Sequence, residues 1–159
     1  MIYVAVGTQK FQFNRLLKEV DELVERRIIT EPVFAQIGNS DYVPQNYSFQ
    51  NFLSRDEFET KVKECSLLIT HSGVATIMAG AKNNKPIVVV PRLAKYGEHV
   101  DDHQKQIAKM FAEQNIIVAC EEDGSLKDAL IKAKSNSFSR YNSQRQAVVD
   151  TIREFLSSI

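Results

Sequence analysis

The sequence has little of several features that mark particular protein classes. Of its 159 residues, 20 are basic and 20 are acidic, so the formal net charge is zero. The basic residues are scattered along the chain, which excludes an obvious nucleic-acid-binding patch. Its apolar runs are short, and none approaches the roughly 20 residues that a membrane-spanning helix needs. The sequence also contains no internal repeat and no low-complexity linker.

Cysteine is equally scarce, because Cys65 and Cys120 are the only two. They do not have the spacing of a metal-binding pair, and free thiols suit a reducing compartment. The N-terminus begins directly with a strand-like segment and lacks the pattern of a signal peptide. We therefore expect a cytoplasmic protein in which residues 1–159 form one domain with a single hydrophobic core.

Short apolar runs alternate with segments whose apolar residues recur at helical spacing. Strands are predicted at 2–6, 33–37, 67–70, 86–90 and 116–119, with a short one within 48–53. Helices are predicted between them. One begins at a capping box formed by Ser54 and Glu57, and one spans 74–82 and ends at Asn83-Asn84. Another is opened by Asp101-Asp102 and stopped by Asn115, and the last begins near Arg140 with Val148, Ile152, Phe155 and Ile159 on one side. The alternation predicts an α/β fold with a mainly parallel sheet.

The turn His71-Ser72-Gly73 lies between a predicted strand and a predicted helix. Backbone N–H groups at the start of a helix are well placed to bind phosphate. Gly73 lets a ligand approach the backbone closely, and Ser72 adds a hydroxyl donor. Loops at the carboxyl ends of parallel strands carry the sites of α/β proteins, so this turn is a candidate anion site.

The loop after the next strand is dense in polar residues, namely Arg92, Tyr96, Glu98, His99, Asp101, Asp102, His103 and Gln104. A lone Ser-Gly turn is most often an ordinary helix start, but two consecutive loops of this kind favour a binding site. Gly7-Thr8 follows the first predicted strand in the same way. It is interpreted as a wall of the cleft, a contact for a partner, or an ordinary turn.

All three histidines of the chain, His71, His99 and His103, fall in or beside these loops. A metal site is one interpretation, but the spacing does not fit a helical pair of ligands and no cysteine is near. Proton transfer is a second, since histidine titrates near neutrality. Hydrogen bonding to phosphate or to the loop backbone is a third. We favour binding roles and expect no metal.

Several segments together resemble a known family: Thr70-His71-Ser72-Gly73, Lys85-Pro86, Val90-Pro91-Arg92, Tyr96-Gly97-Glu98-His99 and Asp102-His103-Gln104. They are similar to the C-terminal, donor-binding domain of family 28 glycosyltransferases, which have the two-domain GT-B architecture. The closer likeness is to small soluble subunits of two-chain enzymes. These are bacterial β-1,4-galactosyl- or glucosyltransferases of capsule and exopolysaccharide synthesis, and the eukaryotic enzyme that adds the second N-acetylglucosamine to a dolichol-linked sugar.

The resemblance implies a Rossmann-like three-layer domain, equivalent to the C-terminal half of a GT-B enzyme, that binds a UDP-sugar. By position, the turn at His71 meets the diphosphate and the segment Asp102–Gln104 meets the sugar hydroxyls. His71, Glu98 and His99 are the expected catalytic residues. The expected substrate-binding residues are Gly7, Thr8, Ser72, Gly73, Arg92, Tyr96, Gly97, Asp102, His103 and Gln104.

One departure from the family pattern concerns the ribose. Single-chain relatives have a glutamate on the helix after the Ser-Gly turn, whereas this sequence has Met78-Ala79-Gly80 there. Either Glu98 or another group replaces it, or the chain binds its donor weakly alone. The family chemistry is inverting and requires no metal or other cofactor.

The length of the chain leaves room for one of the two domains of a GT-B enzyme. The resemblance therefore implies a membrane-associated partner subunit that binds the lipid-linked saccharide acceptor and recruits this chain to the inner face of the membrane. A non-catalytic accessory subunit is an alternative, because the ribose-binding glutamate is missing. A sugar-nucleotide epimerase is less favoured, because such enzymes need two domains in one chain.

Overall fold

Residues 1–158, which are described by this computed structural model, form a six-stranded parallel sheet flanked by helices. The strands are β1 (Ile2–Ala5), β2 (Val33–Gln36), β3 (Ser48–Gln50), β4 (Leu67–Thr70), β5 (Ile87–Val89) and β6 (Val118–Ala119). Their order is β3-β2-β1-β4-β5-β6 and every neighbouring pair is parallel. The predicted α/β class and parallel sheet are confirmed.

The helices are α1 (Asn14–Glu25), α2 (Arg55–Glu64), α3 (Val74–Lys82), α4 (His103–Glu113), α5 (Leu126–Ser135) and α6 (Tyr141–Ser158). Residues of β1 alternate between two hydrophobic clusters, as the two-residue period of a strand requires. Ile2 and Val4 pack with α1 and α5, whereas Tyr3 and Ala5 pack with the helices of the other face. The sheet is therefore the middle of three layers.

Local signals in the sequence account for the ends of several helices. The hydroxyl of Ser54 accepts the N–H of Glu57 at 3.1 Å, and the Glu57 carboxylate accepts the N–H of Ser54 at 3.3 Å, which is the predicted capping box. Asn84 and Asn115 have positive φ angles of 54° and 58° just after helices, as predicted for asparagine at a helix stop.

The loop between β5 and α4 differs from its prediction in two details. It contains a short 3-10 turn at Ala94–Tyr96, and α4 begins at His103, not at the two aspartates before it. The side chain of Asp102 does not cap its own helix. It accepts the N–H of Ala94 at 2.8 Å, which folds the loop back on itself.

Two further predictions bear on the limits of the domain. Ile159 lies outside the described residues, so its predicted place on the apolar side of the last helix stays untested. Among residues 1–158, no helix has both the length and the apolar character that crossing a bilayer requires. Both cysteines are buried free thiols, in agreement with the prediction.

A buried carboxylate holds the long connection between β2 and β3 against α1. Asp21 accepts hydrogen bonds from Tyr42 Oη at 2.7 Å, from the backbone N–H of Gln45 at 2.7 Å, and from two N–H groups of Asn46 at 2.9 Å. Burial alone would raise the pKa of Asp21, but these hydrogen bonds outweigh it and lower the pKa.

Asp21→Asn is expected to destabilise the fold by about 2 kcal/mol at pH 7, because an amide cannot accept all of these hydrogen bonds. A carboxylate with a lowered folded-state pKa stabilises the protein above its unfolded value and loses that effect as the pH falls. The difference in Tm between the variant and the wild type should therefore shrink below about pH 4. The exposed Asp123→Asn serves as control, and an equal difference at pH 7 and pH 3 would contradict this role.

Candidate functional site

The sheet reverses its strand order between β1 and β4, since the chain runs outward from β1 to β3 on one side and from β4 to β6 on the other. In open α/β sheets, ligands bind at the carboxyl ends of the strands where the order reverses. The loops after β1 and β4 meet at this point, and the loop after β5 lies beside them. All three loops are among those that the sequence singled out.

His71 lies between two glycines at the centre of this edge. A Cβ atom on Gly7 would lie 2.5 Å from His71 Nε2, and one on Gly73 would lie 2.6 Å from His71 Cε1. Real Cβ atoms do not come this close, so both positions require glycine. Gly7 also has a φ of 83°, which favours glycine independently. The imidazole is therefore fixed between the loops after β1 and β4.

His71 is only 5% exposed, and its environment favours the neutral ring. Burial, together with the nearby Arg92 guanidinium, lowers the pKa of His71 to about 3. An imidazole with so low a pKa is a poor proton acceptor at physiological pH. This environment agrees with our preference for a binding role over proton transfer at His71.

Gln104 connects the loops after β4 and β5. Its Oε1 accepts the backbone N–H of Ser72 at 3.3 Å and that of Arg92 at 3.0 Å, while its Nε2 lies 3.3 Å from His71 Nδ1. The carboxamide is buried. In this structure, Gln104 therefore holds the two loops together and does not line a cavity beside His71, and its expected contact with the sugar stays a prediction.

Arg92 is also placed differently from its expected position in the cleft. It is 1% exposed, and its guanidinium donates to four backbone carbonyls. These are Val6 O at 2.5 Å, Phe11 O at 3.1 Å, Gln12 O at 3.2 Å and Glu98 O at 3.1 Å. Burial lowers the pKa of Arg92 to about 10, which still leaves it charged at neutral pH. Its role here is to join the loops after β1 and β5.

Glu98 was expected to be catalytic, yet it is 1% exposed and its oxygens are occupied. Both oxygens pair with the Arg15 guanidinium at 2.9 Å, and Oε1 also accepts the N–H of Leu93 at 3.0 Å. In this structure the carboxylate faces Arg15 and the loop backbone and does not line the cavity beside His71, so its expected catalytic role stays a prediction. Glu98 stabilises the loop after β5 against α1.

His99, Asp101 and His103 form a small cluster whose potential metal-binding atoms lie within 4.8 Å of one another. These atoms already have partners: His99 Nδ1 accepts the N–H of Asp101 at 3.4 Å, and Asp101 Oδ1 pairs with His103 through its backbone N–H and Nδ1. The cluster is thus explained by its own hydrogen bonds. The expectation of no metal stays a prediction.

A cavity of about 420 Å³ opens beside His71, on the face of the sheet that α2 and α3 cover. Of the residues selected from the sequence, Gly7, Thr8, His71 and Gly73 line it. Arg92, Tyr96, Gly97, Glu98, His99, Asp102, His103 and Gln104 do not. Ser72 lies beneath it, and its buried Oγ finds no hydrogen-bond partner within residues 1–158.

The sequence analysis missed the wall that the loop after β3 and helix α2 supply to this cavity. That wall consists of Leu53, Ser54, Arg55 and Phe58. The capping box at Ser54 was a usable signal, because it marks a helix that begins at the same edge of the sheet as α3. Leu53 and Phe58 gave no such signal, since apolar residues at these positions look like ordinary core.

A second cavity of about 550 Å³ lies between α4 and the ends of β5 and β6. The residues that line this cavity include apolar, basic and acidic ones. His71 and the turn at Gly73 are not among them. We take the smaller cavity as the candidate site, because it lies at the reversal of strand order and borders the N-terminus of α3.

Comparison with known families and structures bears on this site. The family model for the glycosyltransferase family 28 C-terminal domain matches residues 1–158. No curated protein matches the sequence significantly. The matching solved structures include the glycotransferase of kitacinnamycin, with a TM-score of 0.62 and 16% identity over 97% of this chain and 37% of that one.

Two other solved structures match the chain over a similar length. SnogD, a glycosyltransferase from Streptomyces nogalater, has a TM-score of 0.53 and 15% identity, and the match covers 94% of this chain and 43% of that one. The structure of Os79 from O. sativa in complex with UDP has a TM-score of 0.55 and 13% identity. The match covers 94% of this chain and 35% of that one. The chain thus spans less than half the length of these structures. They confirm the Rossmann-like fold of a GT-B C-terminal half.

Arg92→Lys is expected to cost about 3 kcal/mol or more of folding free energy, because an ammonium cannot serve four carbonyls that a planar guanidinium reaches. Chemical unfolding of the purified variant measures this loss. Arg153→Lys, on the exposed side of α6, makes the same chemical change and should alter stability by less than about 0.5 kcal/mol. Equal stability of the two variants would show that the hydrogen bonds from Arg92 to the four carbonyls do not stabilise the fold.

Proposed function

The chain belongs to the glycosyltransferase family 28 C-terminal domain family, and from this premise we propose that it is the donor-binding, catalytic subunit of a heteromeric inverting glycosyltransferase. Its donor is a UDP-sugar, and the enzyme transfers a hexose to a lipid-linked acceptor in capsule or exopolysaccharide synthesis. The observation that carries the proposal is the cavity beside His71, at the point where α/β proteins bind nucleotides.

The end of the cavity nearest His71 suits a diphosphate. Helix α3 begins at Val74 after Gly73, and no side chain caps its first N–H groups. These uncapped groups and the positive end of the helix dipole attract a phosphate. Gly7 and Gly73 leave the backbone of both loops open to close approach. In the proposed reaction, the same groups stabilise the leaving UDP without a metal.

The other end of the cavity suits a nucleoside. Leu53 and Phe58 provide apolar surface for a flat ring, and Ser54, Arg55 and Thr76 provide polar groups at its rim. None of the described residues lining the cavity is a carboxylate. We therefore propose that hydroxyl groups, with Thr76 as the first candidate, replace the glutamate that single-chain relatives use for the ribose.

The catalytic base is assigned in this proposal to the partner. Glu98 is enclosed by its ion pair with Arg15, and the low pKa of His71 makes it a weak base. His99 is nearly buried beside the Phe11 ring, with centroids 5.7 Å apart, and burial lowers its pKa. Its expected catalytic role stays a prediction.

The distribution of exposed apolar residues supports a partner at this edge. Phe52, Tyr96 and Val100 are each about half exposed or more, and they lie in the loops after β3 and β5. Exposed apolar groups gathered on one side of a domain commonly mark an interface. We propose that a membrane-associated, acceptor-binding subunit covers this edge and holds the chain at the membrane.

An accessory subunit without catalytic activity is the second candidate function, and the lack of a carboxylate in the cavity is the observation that favours it. Binding of UDP separates the two, because an accessory role does not require a nucleotide site.

UDP is expected to bind the isolated chain, as measured by isothermal titration calorimetry. Gly73→Ala should weaken this binding at least tenfold, because its Cβ would lie 2.6 Å from the His71 ring and displace it into the phosphate end of the cavity. Gly73 has a φ of −80°, so the substitution adds no backbone strain of its own.

Gly124→Ala is the matched control for this experiment. It lies in the exposed turn before α5, far along the chain from the cavity residues, and its Cβ would come no closer than 3.3 Å to a neighbour. UDP affinity should be unchanged in this variant. Absence of UDP binding by the wild type, alone and with its partner, would overturn the proposed donor site and favour the accessory role.

Val100→Asp is expected to reduce co-purification with the membrane subunit while leaving UDP affinity unchanged, because a charge replaces an apolar side chain that is 71% exposed. Ile131→Asp introduces the same charge at an exposed apolar position on α5, away from the loops after the strands. It should co-purify normally. Loss of the partner in both variants, or in neither, would contradict a partner at the carboxyl edge.

A further inference from the structure

The orientation of the Gln104 carboxamide is determined by two backbone donors. The N–H groups of Ser72 and Arg92 both point at the same atom, at 3.3 and 3.0 Å. An amide NH₂ group cannot accept a hydrogen bond, so the atom that these donors face must be the oxygen. The NH₂ group of Gln104 is consequently the one that faces the imidazole of His71.

This orientation decides which nitrogen of His71 carries the proton. Gln104 Nε2 lies 3.3 Å from His71 Nδ1, and because the NH₂ group is only a donor, Nδ1 must be the acceptor. The single proton of the neutral ring is then on Nε2. An imidazolium would place an Nδ1–H against the NH₂ group, which adds a repulsion to the cost of burying the charge.

His71 Nε2 faces the site and not the core. It lies beside Gly7, close enough that a Cβ there would be 2.5 Å away, and beside Gly73 on its other side. His71 is one of the residues that line the cavity. Among the side chains that the structure describes, which exclude those of 141–145 and 158, the hydrogen bond of the His71 ring is the one at Nδ1. The structure thus presents a nearly buried N–H donor with no partner of its own.

We infer that Gln104 is a positioning residue that holds His71 as the Nε2–H tautomer, so that the imidazole donates a hydrogen bond to an anionic ligand in the cavity. That the anion is the diphosphate of a UDP-sugar rests on the proposed function. The position of the proton does not rest on it. Gln104 therefore acts on the ligand through His71, without touching it.

The charged groups around His71 are consistent with a donor that does not titrate in use. Arg92 and His99 are the ionisable groups that act on the ring, and both disfavour the imidazolium. Arg92 stays protonated at pH 8.5, because its pKa lies at about 10. His99 has a lowered pKa, so it is largely neutral above pH 7. The Nε2–H donor is therefore expected to be present from pH 6.5 to 8.5.

Gln104→Glu tests the inference with a side chain of the same shape. One carboxylate oxygen can still accept the N–H groups of Ser72 and Arg92, but the other is an acceptor facing His71 Nδ1. The neutral ring should then move its proton to Nδ1 and turn a lone pair toward the cavity. Gln106→Glu, which is exposed on the same helix, adds the same charge as a control.

The primary measurement is the tautomer of His71 from ¹⁵N chemical shifts at pH 8.5, without ligand. The chain has three histidines, so His99→Asn and His103→Asn identify the His71 signals. Wild type and Gln106→Glu should show the proton on Nε2, and Gln104→Glu should show it on Nδ1. A proton on Nδ1 in the wild type would overturn the inference even if the Gln104 variant failed to fold.

UDP calorimetry at pH 8.5 then tests the consequence for the ligand. Gln104→Glu should bind UDP at least tenfold more weakly than Gln106→Glu, and should recover part of the affinity toward pH 6.5 as the ring gains a second proton. A moved proton with unchanged affinity would overturn the positioning role. If the wild type binds no UDP, either alone or with its partner, the proposed function fails, while the tautomer measurement still decides the role of Gln104.

Discussion

The carboxyl edge of this sheet depends on the burial of one guanidinium. The loops after β1 and β5 have irregular backbones, and their carbonyls cannot pair within the sheet as strand carbonyls do. Arg92 supplies donors to four of them at once. Burying a cation is costly, and here that cost is offset by these hydrogen bonds and by the nearby Glu98. Arg92 is therefore the buried link between these two loops, and Gln12 adds a more exposed one by donating to Tyr96 O at 3.0 Å.

The fixed loops in turn fix the imidazole. Gln36 holds the loop after β1 from the side of β2, since its carboxamide accepts the N–H of Gly7 at 3.2 Å and donates to Gly7 O at 2.9 Å. Gln104 holds the loops after β4 and β5 in a similar way, because its side-chain oxygen accepts the N–H groups of Ser72 and Arg92. His71 lies between Gly7 and Gly73 and against the Gln104 amide, with little freedom to rotate. A binding group that is already ordered loses less entropy when a ligand arrives, which favours affinity.

Much of the fold and part of the site could be predicted from the sequence, for reasons that are visible in particular residues. Strand β4 and helix α3 were predicted with their observed ends, because an apolar run, a Ser-Gly turn and an Asn stop mark each boundary. Arg92, Glu98 and Gln104 were assigned to the cleft, but they point inward. A polar residue in a loop has the same sequence signature whether it meets a ligand or satisfies a buried backbone, and only the packing distinguishes the two.

The groups that line the candidate site suit the binding of an anion. The cavity offers a helix N-terminus, two glycines and a neutral imidazole, which are groups that hold an anion and do not accept a proton. The Glu98 carboxylate is already paired with Arg15 and stabilises its own loop. A proton acceptor for a transfer reaction would therefore have to come from outside the residues that line this cavity. The apolar side chains gathered in the loops around the same edge are a physical reason for a partner to bind there.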